Sequence, residues 1–248
     1  MKTFKTVLCS ACLLCFALNL SFAQKYYQVH QDNVKPSKMM EYEKIAKEFT
    51  EACKTHKPET QWLAVAMDDF KYFYVTPVEN FADLDKRPFT EMAKSMGDDF
   101  GKMFEKFDAC YDSHGDYILY LNEELTYMPE GVDQAEEGLD YRDYYFIYHT
   151  PENASKMKEA MKAVKDMFAE KGSNNYYRVY HSGFGTMDAY YLVAMSSKDA
   201  IDSAQKQKAN QDVLGPDRFE VFNKVLAAAS DWREATGNIR RDISYFPE

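Results

Sequence analysis

The chain has 248 residues and a formal net charge of −10 at pH 7. An excess of acidic groups repels the phosphates of nucleic acids and of anionic lipids, so the charge argues against nucleic acid and membrane surfaces as partners. Aromatic residues make up 15% of the chain, which predicts a packed globular fold rather than disorder.

Residues 1–23 have the pattern of a secretory signal peptide. A start with two lysines is followed by the apolar run Val7–Leu20 and by small residues, Ser21 and Ala23, at a cleavage point. The run is short for a membrane span, and no later stretch reaches the ~20 apolar residues that a span needs. We therefore predict an exported protein, periplasmic or extracellular, that begins after Ala23.

A lipoprotein signal is the alternative interpretation of this start. It would end at Cys12 or Cys15, but Leu14 is large for the position before Cys15, and the apolar run before Cys12 is short. Cleavage after Ala23 removes three of the five cysteines and leaves Cys53 and Cys110.

Residues 24–130 are predicted to form a first structural repeat. Apolar residues recur every three or four positions after Pro36, which predicts an amphipathic helix to about His56. Asp68 and Asp69 between two apolar runs indicate a hairpin. The predicted strands and helices, in chain order, are Tyr26–Gln31, Pro36–His56, Gln61–Met67, Phe70–Thr76, Val78–Met96, Asp98–Tyr111 and Asp116–Tyr127.

Residues 144–248 are predicted to repeat this order after an acidic linker at residues 131–143. The segment Glu124–Glu130 (ELTYMPE) matches Asp242–Glu248 (DISYFPE) position by position at an offset of 118 residues. We interpret the chain as a tandem duplication in one gapless register. The predicted elements are Tyr144–His149, Pro151–Lys171, Tyr176–Ser182, Ala189–Met195, Lys198–Val213, Asp217–Trp232 and Ile239–Phe246.

Each repeat therefore has the order βαββαβ, which is the ferredoxin-like unit. Such a unit has helices on one face of its sheet and leaves the other face bare. Strands such as Trp62–Met67 are apolar on both sides, which is typical of sheets covered on both faces. We predict an α+β fold in which the two sheets face each other and close one pseudo-dimeric α/β barrel, and hence a monomer.

Two segments carry a resemblance to a known family. Val34–Tyr42 resembles the strand-to-helix signature of NIPSNAP-like proteins, and Leu125–Pro129 resembles their last strand, although Ser37 replaces a glycine of that signature. These proteins belong to the dimeric α/β-barrel superfamily, as do the antibiotic-biosynthesis-monooxygenase-like proteins. The resemblance implies the barrel fold. It leaves open a cofactor-independent monooxygenase- or isomerase-like activity, and haem as a cofactor, because some branches hold haem.

Five residues are candidates for the lining of a ligand pocket: His30, Trp62, Arg178, Tyr180 and His181. The two histidines lie on predicted strands and are either buried core residues or ligands of haem or a metal. Arg178 shares a strand face with Tyr180; if it points inward it must meet an anionic ligand or pair with an acid such as Asp188. No histidine or cysteine spacing indicates a metal site, and no arrangement of acids, bases or nucleophiles identifies catalytic residues.

Two functions follow from these observations. The first is the binding of a small apolar or aromatic molecule in a tyrosine-rich pocket, with or without the chemistry that the resemblance implies. The alternative is a non-catalytic exported protein with an interaction or structural role and no ligand site.

Cys53 and Cys110 are predicted to form a disulfide. Each lies in the last turn of a predicted helix, and the two helices are expected to run side by side in the same direction. Their ends would then be neighbours in an oxidising compartment.

Overall fold

The computed structural model describes residues 25–133 and 135–247. The signal peptide predicted for residues 1–23, and the alternative lipoprotein signal, lie outside them. The strands are β1 (Tyr26–Val34), β2 (Leu63–Met67), β3 (Lys71–Val78), β4 (Tyr111–Leu121), β5 (Tyr141–Tyr148), β6 (Tyr177–Ser182), β7 (Tyr190–Ser197) and β8 (Asp231–Ile239). The α-helices are α1 (Met39–His56), α2 (Thr90–Met96), α3 (Asp98–Asp108), α4 (Ala154–Glu170), α5 (Ala200–Leu214) and α6 (Arg218–Ala228).

The eight strands close an antiparallel barrel in the order β1-β3-β2-β8-β5-β7-β6-β4. The first half of the chain contributes β4-β1-β3-β2 and the second half contributes β8-β5-β7-β6. The two sheets join where β2 pairs with β8 and where β4 pairs with β6. The α+β fold and the closed barrel predicted from the sequence are confirmed, and closure leaves no open sheet edge.

The interior of the barrel is filled by side chains from both halves. Val29, Phe73 and Leu119 of the first half pack there with Tyr190 and Leu192 of the second. Two further apolar clusters lie outside the barrel, each between the sheet and the helices of one half. No helix in the described ranges is long and apolar enough to cross a membrane.

The helix predicted for Val78–Met96 is wrong over its first part. Strand β3 continues to Val78, and a short 3-10 helix follows at Phe81–Asp85. Asn80 caps this turn by accepting a hydrogen bond from the Ala82 N–H, and the Asp83 carboxylate accepts from the backbone N–H groups of residues 79 and 80. This capping pair starts a new helical turn after the strand, and apolar periodicity alone does not reveal it.

The gapless register predicted for the repeat is also wrong. Pro36 and Pro151 open corresponding helices but lie 115 residues apart. Tyr27 lies inside the barrel against Tyr180, whereas Tyr145, 118 residues after it, packs against the helices of the second half. Neighbouring residues of a strand point to opposite faces of the sheet. The observed offset of 115 differs from the predicted 118 by three residues, an odd number, so residues matched at 118 lie on opposite faces.

The matching segments at the ends of the halves are not the closing strands that the sequence predicted. Strands β4 and β8 end at Leu121 and Ile239, before the segments begin. We call residues 124–130 and 242–247 the exchange segments, because each packs in the core of the opposite half. Leu125 belongs to the second-half cluster, and Ile243 belongs to the first-half cluster.

Backbone hydrogen bonds fix both exchange segments in the same way. Tyr127 and Tyr177 exchange two N–H···O bonds of 3.0 Å, and Trp62 and Tyr245 exchange two of 2.8 and 3.0 Å. The side chain before each tyrosine adds one more bond. Thr126 Oγ1 accepts from the N–H of Val179, and Ser244 Oγ accepts from the N–H of Ala64, both at 2.9 Å.

The predicted disulfide between Cys53 and Cys110 is wrong, since both residues are buried free thiols. Helices α1 and α3 run in opposite directions. Helix α1 begins after the end of β1, and α3 ends before the start of β4. The end of β1 pairs with the start of β4, so the start of α1 lies near the end of α3. The Lys35 N–H accordingly donates to Cys110 O at 2.9 Å. Cys53 lies near the far end of α1, roughly 20 Å further along the helix, and a disulfide needs Cα atoms within about 7 Å.

We expect each exchange segment to stabilise the half to which it does not belong. Ile243 and Leu125 are fully buried, so Ile243→Ala or Leu125→Ala should each lower the free energy of unfolding by about 2–5 kcal/mol. Urea unfolding monitored by circular dichroism measures this. Val213→Ala, at an exposed helical position, is the control and should change it by less than about 0.5 kcal/mol. Losses below about 1 kcal/mol at both buried sites would contradict the role assigned to the segments.

Candidate functional site

A cavity of about 1020 Å³ lies in the first half of the chain, outside the barrel, between the sheet and α1. Its inner wall is aromatic, and its rim carries charged residues from the loops at residues 57–61 and 79–87. The aromatic lining residues are Tyr42, Phe49, Trp62, Tyr74, Phe89, Phe104, Phe107 and Tyr111.

The alternation of side chains along β1 explains why the polar residues of the cavity lie on one face. Gln28, His30 and Asp32 alternate along β1, so they share the face of the strand that points to the helices. Tyr42 and Phe49 lie two helical turns apart on α1 and face this strand from above. The polar side chains of β1 therefore meet the buried face of α1.

A chain of hydrogen bonds connects the cavity wall with a buried carboxylate. The Tyr42 hydroxyl donates to Asp32 Oδ2 at 2.5 Å and lies 2.8 Å from the Tyr74 hydroxyl. Tyr42 is fully buried and Asp32 is 4% exposed. Burial, together with the neighbouring Tyr74 and Asp32, raises the pKa of Tyr42, so its hydroxyl keeps its proton.

His30 lies between two carboxylates. Its Nε2 is 3.2 Å from Asp32 Oδ1 and its Nδ1 is 3.2 Å from Asp116 Oδ1, which also accepts from Gln28 Nε2. Burial lowers the His30 pKa, but the hydrogen bonds and charges of Asp116 and Asp32 outweigh it and raise the pKa to about 9. At neutral pH His30 is an imidazolium.

Strand register explains this cluster. β1 and β4 are antiparallel neighbours, and His30 is directly opposite Asp116, while Asp32 is directly opposite His114. Ligand atoms of His30, Asp32 and His114 all lie within 4.8 Å of one another. Sequence spacing missed this group, because its members are far apart in the chain and only the pairing of the two strands brings them together.

Haem does not fit at His30. The Asp32 carboxylate lies 3.2 Å from Nε2, so it would occupy the space that a porphyrin ring around an iron on that nitrogen needs. His181 is half-buried against Tyr191, with ring centroids 5.1 Å apart, and does not line this cavity. The sequence indicates no cofactor and leaves haem open, and this geometry tests haem at His30 alone.

The structure does not bring the five predicted pocket residues together. His30 and Trp62 line the cavity, but Arg178, Tyr180 and His181 lie on β6 in the second half. Tyr180 packs with the barrel interior. Arg178 is buried and donates to Asp133 O at 2.6 Å and to Ser196 Oγ at 2.7 Å. Its partners are therefore a linker carbonyl and a hydroxyl instead of Asp188.

The corresponding site in the second half has no histidine or carboxylate at the positions of His30 and Asp32. Tyr145 is opposite Glu234 on β8 and Val193 on β7, just as His30 is opposite Asp116 and Tyr74. The counterparts of His30, Asp32, Tyr42 and Tyr74 are thus Tyr145, Ile147, Met157 and Val193, all packed in the second-half cluster.

No protein-family model and no curated protein sequence matches the chain. Among solved structures, an anthrone oxidase-like protein has a TM-score of 0.59 at 13% identity, over 89% of this chain and 93% of that one. A protein of Lactobacillus acidophilus NCFM described as a monooxygenase has a TM-score of 0.52 at 12% identity, over 88% and 94%. A variant of chlorite dismutase from Candidatus Nitrospira defluvii has 0.52 at 12%, over 88% and 92%. These likenesses show the fold, an eight-stranded α+β barrel, and no activity.

We predict that the hydroxyl of Tyr42 is required for stability. Tyr42→Phe leaves Asp32 Oδ2 buried without its donor and should lower the free energy of unfolding by about 1–3 kcal/mol. Tyr177→Phe is the matched control, because the buried Tyr177 hydroxyl has no hydrogen-bond partner among the described residues. Its removal should be neutral or slightly stabilising. Equal losses in urea unfolding of the two variants would contradict the prediction.

Proposed function

We propose that the protein binds a small aromatic molecule with a hydroxyl group in the cavity of the first half. The observation that carries the proposal is the hydrogen-bonded chain Tyr74–Tyr42–Asp32 at the wall of an aromatic cavity. Aromatic walls favour planar apolar ligands, and a few fixed polar groups then orient them. The tyrosine-rich pocket lies between sheet and helices rather than inside the barrel.

The same groups can accept a proton from the ligand. A ligand hydroxyl bonded to the Tyr74 oxygen passes its proton to Tyr74, Tyr74 passes its own to Tyr42, and Tyr42 passes its own to Asp32. Asp32 is then neutral and the ligand is an anion. Proton removal is the step that cofactor-independent monooxygenase-like and isomerase-like reactions share, and the proposal extends to that step. The anthrone oxidase-like and monooxygenase-described neighbours support it.

The cavity also favours this function over the alternative of an interaction protein without a ligand site. A purely structural duplicate would be expected to fill the space between sheet and helix, as Met157 and Val193 do in the second half. The first half instead leaves about 1020 Å³ beside a buried carboxylate.

Anthrone and anthracene test the proposal, because they share a three-ring frame and only anthrone, in its enol form, carries a hydroxyl that can donate to the Tyr74 oxygen. Trp62 lines the cavity, so we expect anthrone to quench its fluorescence saturably. Tyr74→Phe should weaken anthrone binding about 2- to 10-fold, the value of one neutral hydrogen bond, and should leave anthracene binding unchanged.

Tyr145→Phe is the control for this variant, since Tyr145 occupies the second half and its hydroxyl contacts Gln207. It should alter neither affinity. Anthrone binding that is absent, or equally affected by both variants, would overturn the proposal. The titrations are made in the presence of a chelator, so that they report on the cavity alone.

We further propose that the chain is an exported monomer that arose by tandem duplication of a ferredoxin-like unit related to NIPSNAP-like proteins. The same strand order and the same cross-strand pairs in both halves support the duplication. A mature N-terminus at Gln24 and a monomer mass in light scattering are the expected results for protein from the native host. An uncleaved chain or a dimer would contradict them.

A further inference from the structure

We propose that His30, Asp32 and His114 bind a divalent transition-metal ion at the wall of the cavity. The proposal goes beyond ligand binding, although both proposals use Asp32. Two imidazole nitrogens and one carboxylate oxygen form the donor set, and their ligand atoms lie within 4.8 Å of one another. Atoms bound to one ion at about 2.0–2.2 Å lie within this separation.

Asp32 provides the second observation that points to an ion. The residue is 4% exposed, and its Oδ1 has no hydrogen-bond partner among the described residues. Its one polar contact among those residues is His30 Nε2, at 3.2 Å. A metal ion between these two atoms would replace that long contact with a bond to each of them.

The surroundings hold the three ligands in place. Asp116 Oδ1 is 3.2 Å from His30 Nδ1, which leaves Nε2 for the ion, and Gln28 bonds to the same oxygen of Asp116. Tyr42 donates to Asp32 Oδ2, which leaves Oδ1 for the ion. The His114 ring is stacked on Tyr111 with centroids 5.1 Å apart. Histidine ligands of metals usually bond through their other nitrogen to a carboxylate, and carboxylate ligands are themselves hydrogen-bonded, as here by a hydroxyl.

The donor set selects the class of metal. Mg²⁺ and Ca²⁺ prefer sites made of oxygen atoms, whereas imidazole suits Zn²⁺, Fe²⁺, Co²⁺ and their neighbours. Two histidines with one carboxylate is the set that holds non-haem Fe²⁺ with open positions. Since His30 and Asp32 line the cavity, the ion would lie where a bound molecule can approach it. Its binding displaces the proton from His30 Nε2.

Titration of the full chain with Co²⁺, after removal of metals and without an aromatic ligand, tests the proposal. We expect one Co²⁺ per chain, visible absorption from the coordinated ion, its displacement by one equivalent of Zn²⁺, and no displacement by excess Mg²⁺. His114→Gln should weaken Co²⁺ binding at least 10-fold, and Asp116→Asn about 10- to 100-fold. His114 is exposed, so its substitution should leave the thermal unfolding of the metal-free protein unchanged.

His56→Gln, at the end of α1, is the control and should bind Co²⁺ as the parent does. The proposal is overturned by the absence of saturable Co²⁺ binding, or by equal affinities of the His114→Gln and His56→Gln proteins, which would mean that the ion binds elsewhere. Neither result bears on anthrone binding in the presence of a chelator, so the two proposals can fail separately.

Discussion

The fold depends on the exchange of two short segments between the halves of the chain. Within each half the strands pair over long ladders, but β2 meets β8, and β4 meets β6, over only three residue pairs each. The bridges from Tyr127 to Tyr177 and from Tyr245 to Trp62 extend these two short joins. Leu125 and Ile243 then enter the core of the opposite half. Neither half completes its core with its own residues, so closure of the barrel and packing of the helices depend on the same two segments.

This exchange also builds the cavity. The Trp62 indole N–H donates to Ile243 O at 2.8 Å, and its ring packs on Tyr245, so the second half of the chain orients one wall of a site that belongs to the first half. Pro247 lines the same cavity. The second half supports the site by packing, while the groups able to do chemistry come from β1, β3, β4 and α1.

Periodicity in the sequence was sufficient for the architecture and insufficient for the site. The helix at Met39–His56 and the hairpin around Asp68 follow from local patterns, which do not depend on the rest of the fold. The pairing of His30 with Asp116 depends on the register of β1 against β4, and a shift of one residue would have turned His30 into the barrel. Local patterns also do not show that α3 runs opposite to α1. That direction places Cys53 and Cys110 at different ends of α1, too far apart for a disulfide. Arg178 does point inward, but its partner, a carbonyl in the linker, has no signature in a sequence.

The second half shows that this fold is stable without the polar cluster of the first. Where Asp32 and Tyr42 would lie, it has Ile147 and Met157, both buried in a continuous apolar core. A buried carboxylate and a histidine between two acids cost free energy relative to such packing, even when hydrogen bonds offset part of that cost. Packing therefore gives no reason for polar groups at these positions, although the second half does bury one carboxylate nearby, Asp143, which accepts from Ser203 Oγ at 2.6 Å. Buried polar groups at positions that are apolar in the other half are expected where a protein binds or transforms something. That comparison, made within one chain, supports the proposed site at Asp32 and His30.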